Sequence, residues 1–156
     1  MSTRPILDTL PQKAKHIIDT TPDKEACLQQ IARLLFDEVD VYDWVGFYIA
    51  DPEGKPELHL GPYVGASTDH TVIPFGRGIC GQVAESHQTF VVDDVTAEDN
   101  YLSCSADVKS EIVVPIMRGN RFVAQLDIDS NTKAAMDAHH KKTLERICSM
   151  LEPLFT

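Results

Sequence analysis

Hydrophobic and polar positions recur with two different periods along the chain, and the change of period marks the elements. Thr21-Pro22 reads as an N-cap followed by proline at the first helical position. Ala26, Cys27, Ile31, Leu34 and Leu35, with Gln30, then recur at helical spacing, which predicts a helix over 22–36. A shorter helix is expected over 12–19, preceded by an arm. The run DWVGFYIA at 43–50 is aromatic and β-branched and reads as a strand. The turn at 51–54 leads to a returning strand at 57–60, which Gly61-Pro62 ends. A short strand at 71–74, a glycine-rich turn, a helix at 79–86 and a strand at 89–92 follow. Segment 93–107 is polar and reads as a long loop with at most one helical turn.

The second half opens on EIVVPIM at 111–117, a strand, and turns at Arg118-Gly-Asn-Arg121 with a hairpin signature. In the returning strand, Phe122, Ala124, Leu126 and Ile128 are expected on one face. Val123, Gln125, Asp127 and Asp129 are expected on the other. Met136, His140, Leu144, Ile147, Cys148 and Leu151 form the apolar stripe of a last helix over 134–152. Two neighbouring hairpins interleaved with helices predict an α+β fold, an antiparallel sheet with helices packed on one face.

Length and composition narrow the class. At 156 residues the chain is the size of one domain and can bury its own core without staples. Residues 1–19 read as an arm with a short helix and 20–156 as a single domain. The formal net charge of −10 argues against nucleic acid and anionic membrane partners, which need a Lys and Arg surplus. The sequence shows neither an apolar run of membrane-spanning length nor a secretory signal at its start, so a cytoplasmic location is expected. The four cysteines form no CxxC pair and no zinc spacing, so free thiols and no metal centre are expected.

Some residues carry candidate chemistry. Cys27 and Cys148 fall on apolar helix stripes and read as inert core. Cys80 lies in Gly76-Arg-Gly-Ile-Cys-Gly81, either a tight turn with a buried thiol or a thiol activated by a helix N-terminus. Cys104 sits among polar loop residues, either exposed and ordinary or a reactive thiol with Lys109 as the nearest cation. Glu111, Asp127 and Asp129 are placed to converge near one edge of the sheet. They read either as a solvated polar face or as an anionic pocket for an ammonium group or a metal. A hard cation would need further oxygens, for instance from Asp93 and Asp94. Trp44 and Tyr48 alternate on one strand face, as core or as pocket wall.

Five segments together resemble the GAF domain and, more closely, its free methionine-(R)-sulfoxide reductase branch. They are WVGFYI at 44–49, GPYVG at 61–65, IPFGRGICG at 73–81, SEIVVPI at 110–116 and LDIDS at 126–130. The likeness covers about 20–153, in the family's order. It implies a GAF-like sheet and reduction of free methionine-(R)-sulfoxide by a cysteine thiolate, with thioredoxin or another dithiol as reductant and no cofactor. Cys104 stands where the family's attacking cysteine stands, and Cys80 matches a second family cysteine. Glu111, Asp127 and Asp129 match the pocket carboxylates, and Trp44 and Tyr48 the aromatic wall. A homodimer through terminal helices is also a family-level expectation.

Two departures stand out. The family's usual resolving cysteine, ten residues before the GxCG cysteine, is His70 here, which leaves Cys80 or an external thiol to resolve Cys104. His70 itself is then a candidate for a new role, such as protonating the leaving oxygen. The loop before the attacking cysteine reads NYLSCSA rather than the usual PGHxxCD-type run. The alternative to catalysis is a GAF module that binds a small ligand without chemistry.

Overall fold

Strand alternation in the two hairpins divides the buried side chains into two layers, and the sheet lies between them. The computed structural model describes residues 4–102 and 106–155. Its strands are β1 (Trp44–Ala50), β2 (Glu57–Val64), β3 (Val72–Pro74), β4 (Phe90–Val92), β5 (Ser110–Arg118) and β6 (Arg121–Ser130). They form one six-stranded sheet in the order β3-β2-β1-β6-β5-β4, with every neighbouring pair antiparallel. The helices are α1 (Arg4–Thr20), α2 (Lys24–Glu38), α3 (Gly78–Ser86) and α4 (Ala138–Leu151).

The three long helices cover one face, as the hairpin pattern predicts. Leu7 and Leu10 of α1, Ile31 and Leu35 of α2, and Leu144 and Ile147 of α4 pack against Val45, Phe47, Ile112, Val114, Leu126 and Ile128. Tyr42 Oη and His140 Nδ1, 2.6 Å apart, form a buried hydrogen bond across this layer. Cys27 and Cys148 are buried in the same core, where desolvation pushes both thiols up in pKa, as inert packing requires. The short α3 covers the opposite face, where Ile79, Cys80 and Val83 meet Trp44, Tyr48, Val113 and Phe122.

The boundaries differ from the sequence reading in instructive ways. The expected arm is helical from Arg4, because Leu7, Leu10 and Ala14 are buried at helical spacing. Their packing offsets Pro11 inside the helix, which costs about 3 kcal/mol in an isolated one. Asp23, not Thr21, caps α2 by accepting from Ala26 N at 2.9 Å. Asp137 caps α4, so Met136 joins the core from outside the helix. Gly61-Pro62 does not end β2. The strand runs on to Val64 past a bulge there, a place where a missing proline N–H costs little.

A second bulge corrects the facing of two residues. The register steps from Ile116↔Ala124 to Met117↔Phe122, which leaves Val123 as the extra residue. Phe122 therefore faces the α3 layer and Val123 the long-helix layer, the reverse of simple alternation.

Candidate active site

The register of three strands gathers the acidic residues. Asp127 and Asp129 are two apart on β6 and share its α3-facing side. Glu111 on β5 is directly opposite Asp129, while Gly46 and Trp44 of β1 stand opposite Asp127 and Asp129. The solvated-face reading of these carboxylates is overturned, since Glu111 is 5%, Asp127 1% and Asp129 2% exposed.

Three buried carboxylates in contact cannot all be ionised. Glu111 is hydrogen-bonded to both Asp127 and Asp129, and such bonds require a shared proton. Burial raises the pKa of each, and the two aspartates' charges push Glu111 further up. Glu111 and Asp129 both lie well above the ordinary carboxylate range and Asp127 is raised less, so Glu111 and Asp129 share the cluster's proton. Among the described residues, Asp127 Oδ1 and Asp129 Oδ1 are buried without a hydrogen-bond partner. Unpaired buried acceptors are costly and mark a cradle shaped for a donor that a ligand brings.

Cys80 is held against this cluster. The thiol, 6% exposed, donates to Asp127 Oδ2 at 3.3 Å. Proximity to a helix N-terminus would lower its pKa. Here desolvation, and after it the neighbouring carboxylate cluster led by Asp127, act in the opposite sense and dominate, so Cys80 rests as a thiol.

The glycine-rich turn is fastened to the loop that leads towards Cys104. Gly78, at φ +68°, donates from its N–H to Asn100 Oδ1 at 2.7 Å, and Asn100 Nδ2 donates to the Gly76 carbonyl at 2.7 Å. Gln82 Nε2 donates to the carbonyls of Gly78 and Asn100. Asn100 and Gln82 escaped the sequence reading. Asn100 was visible only as one polar residue in a polar loop, with its partners 18 to 24 positions away.

Trp44 and Tyr48 face the same layer, with ring centroids 6.4 Å apart. Each also donates to segment 65–70, Trp44 Nε1 to the Ala66 carbonyl and Tyr48 Oη to the His70 carbonyl, both at 2.9 Å. His70 is thereby placed beside the site. Tyr48, His70, Cys80, Leu102, Glu111 and Asp127 enclose a cavity of about 10 Å³, room for one water molecule. On the other side of the carboxylates, Trp44, Ala66, Asp107, Val108 and Asp129 line a cavity of about 150 Å³. Cys104, and with it the expected relation to Lys109, lies outside the described residues. In sequence it stands between Leu102, which lines the first cavity, and Asp107, which lines the second. Asp94 is engaged elsewhere, accepting from Thr96 and pairing with Lys133. A groove of about 460 Å³ beside Asp51, Lys55 and Phe155 contains none of the candidate residues.

Gly46 makes room for the aromatic wall. A Cβ there would lie 2.4 Å from the Trp44 ring. Gly46→Ala is expected to displace the indole and cost about 1–3 kcal/mol. Trp44 is the single tryptophan, so its fluorescence maximum reports the displacement directly.

No helix among the described residues is long and apolar enough to cross a membrane. The GAF domain family model matches residues 23–152. The chain is 35% identical to Protein YtsP of Bacillus subtilis over 130 residues, 83% of this chain and 78% of that protein. It is 32% identical to the free methionine-R-sulfoxide reductase of Escherichia coli over 127 residues, 81% and 74% of the two chains. The structure of the free methionine-R-sulfoxide reductase of Neisseria meningitidis, solved in complex with its substrate, superposes with a TM-score of 0.93 at 33% identity, covering 99% of this chain and 91% of that one. The fold, the matched span and these similarities agree, and the chain belongs to the GAF domain family, in the group that includes the free methionine-R-sulfoxide reductases.

Proposed function

We propose that the protein reduces free L-methionine-(R)-sulfoxide to methionine, with Cys104 as the attacking thiolate. The observation that carries this reading is the buried cradle of Glu111, Asp127 and Asp129, with two unpartnered carboxylate oxygens, in a chain similar to the reductases. Ionised aspartates pair with the ammonium group of a free amino acid. A peptide nitrogen is neutral and would leave them unpaired, which makes the site selective. Glu111, which shares the cluster's proton, is the acid for the sulfoxide oxygen. Trp44 and Tyr48 wall the pocket and hold segment 65–70 beside it.

The chemistry balances in three steps. Cys104 sulfur attacks the sulfoxide sulfur, the oxygen passes to Cys104, and methionine leaves with Cys104 as a sulfenic acid. The Cys80 thiol, or an external thiol, condenses with the sulfenic acid, forming a disulfide and releasing water. Thioredoxin or another dithiol then reduces the disulfide and is itself oxidised. The burial and raised pKa of Cys80 make it a slow resolver until a base takes its proton, and His70, lining the same cavity, is the neighbouring candidate. We further propose that 20–156 acts as one GAF domain with α1 as its lead-in, in the cytoplasm and as a homodimer.

The test is methionine formation from free L-methionine-(R)-sulfoxide, with thioredoxin and separately with dithiothreitol. Turnover with both is expected, faster with dithiothreitol if Cys80 resolves slowly. Saturable binding of the sulfoxide without methionine formation would select the non-catalytic binding module instead, a reading favoured by His70 at the resolving position.

A further inference from the structure

Ammonium recognition needs carboxylates but has no use for a thiol among them. Cys80 Sγ, a Glu111 carboxylate oxygen and an Asp127 carboxylate oxygen all lie within 4.8 Å of one another, and all three residues are buried. We propose that this cluster binds a single thiophilic divalent cation of the zinc class, which occupies the ammonium site and inhibits the enzyme reversibly.

The geometry fits such an ion. Tetrahedral zinc with a sulfur at ~2.3 Å and an oxygen at ~2.1 Å separates those two ligands by about 3.6 Å. Cys80 Sγ and Asp127 Oδ2 are 3.3 Å apart, so the ion takes the place of the thiol proton with little movement. The adjoining cavity of about 10 Å³ has room for one atom-sized guest. Asp127 Oδ1, buried and without a partner among the described residues, remains as a further oxygen for the shell. Borderline-soft ions accept sulfur and carboxylate together, whereas magnesium and calcium prefer oxygen alone. Binding forms metal–sulfur and metal–oxygen bonds, breaks the Cys80 S–H bond and displaces the carboxyl proton that Glu111 shares, and both protons pass to solvent.

The inhibition clause rests on the reductase reading; the binding clause does not. The experiment is therefore a titration of the reduced protein with Co²⁺, read by the sulfur-to-cobalt charge-transfer absorption in the near ultraviolet. One equivalent is expected, bleached by Zn²⁺ and reversed by a chelator. The absorption is expected to vanish in Cys80→Ser, to weaken at least tenfold in affinity in Asp127→Asn, and to persist in Cys104→Ser. His59→Ala disables a separate surface group of Asp51, Glu57 and His59, and it too is expected to retain the absorption. Circular dichroism checks the fold of each variant, and Asp127→Asn decides the matter if Cys80→Ser does not fold. Absence of the band in the wild type, its survival in Cys80→Ser, or its loss in Cys104→Ser would overturn the proposal. If the protein turns over, Zn²⁺ is expected to raise KM for the sulfoxide and, by holding Cys80, to slow recycling as well. If it does not, the cobalt band still decides the cation site.

Discussion

Cys104→Ser is expected to lose methionine formation by at least about 10³-fold, to the level of the uncatalysed background, with either reductant. A serine hydroxyl is a far weaker nucleophile than a thiolate and cannot form the sulfenic acid or the disulfide. Glu111, Asp127 and Asp129 remain in place, so the variant is expected to bind free methionine sulfoxide with little change. Calorimetry on the variant, beside the turnover assay, separates these two effects. Cys80→Ser is expected to behave differently, sparing a single turnover while slowing recycling. If Cys104→Ser retained full turnover, the assignment of the nucleophile would fail while the pocket could stand.

Asp129→Asn is expected to weaken catalysis and strengthen the fold. Losing one buried partner of the substrate's ammonium costs about 2 kcal/mol or more, which lowers kcat/KM by about 30-fold or more. The same change removes a charge whose burial the free protein tolerates only poorly. Asp129 has a folded pKa raised by desolvation and by Asp127. For a carboxylate raised on folding, the folded state binds more protons, so stability falls as pH rises from the unfolded value, about 3.9, towards the folded one. The loss is complete above the folded pKa and absent below the unfolded one. Asp129→Asn is therefore expected to have a higher Tm than the wild type at neutral pH, with the two converging on acidification. A gain on the order of 1 kcal/mol appears as about 2–4 °C in a chain of this size. A Tm difference independent of pH would show that the carboxylate charge is not the origin of the effect.

A residue tuned for binding at the expense of stability is a usual signature of a functional position. The same tension is visible in Gln125, whose amide is fully buried on the α3-facing side of β6 with both Nε2 and Oε1 unpartnered among the described residues. Neither it nor Asp129 improves the free protein's core, and only Asp129 belongs to the carboxylate cluster.

Much of this molecule is legible in the order of its residues. Period-2 and period-3.6 patterns locate six strands and the helices, because side-chain direction is set by local backbone geometry. The spacing of Asp127 and Asp129 puts them on one face for the same reason. The five motif segments point to the GAF family because their order along the chain is itself sequence information. Misreadings fall where local preference meets packing. The residues before 12 read as an arm, but Leu7, Leu10 and Ala14 carry the helix through Pro11. Alternation misassigns Phe122 and Val123, since a bulge is a property of two paired strands and not of either one.

What the sequence by itself determined is the list of elements, the family and the identity of the chemical groups, all of which follow from local pattern and motif order. What only the tertiary structure decided is their state. Strand register places Glu111 against Asp129, α3 seals the carboxylates from water, and the Cys80 thiol is left protonated beside Asp127. Those are consequences of burial and of contacts between residues far apart in the chain, and the free energy of a charge depends on just those surroundings.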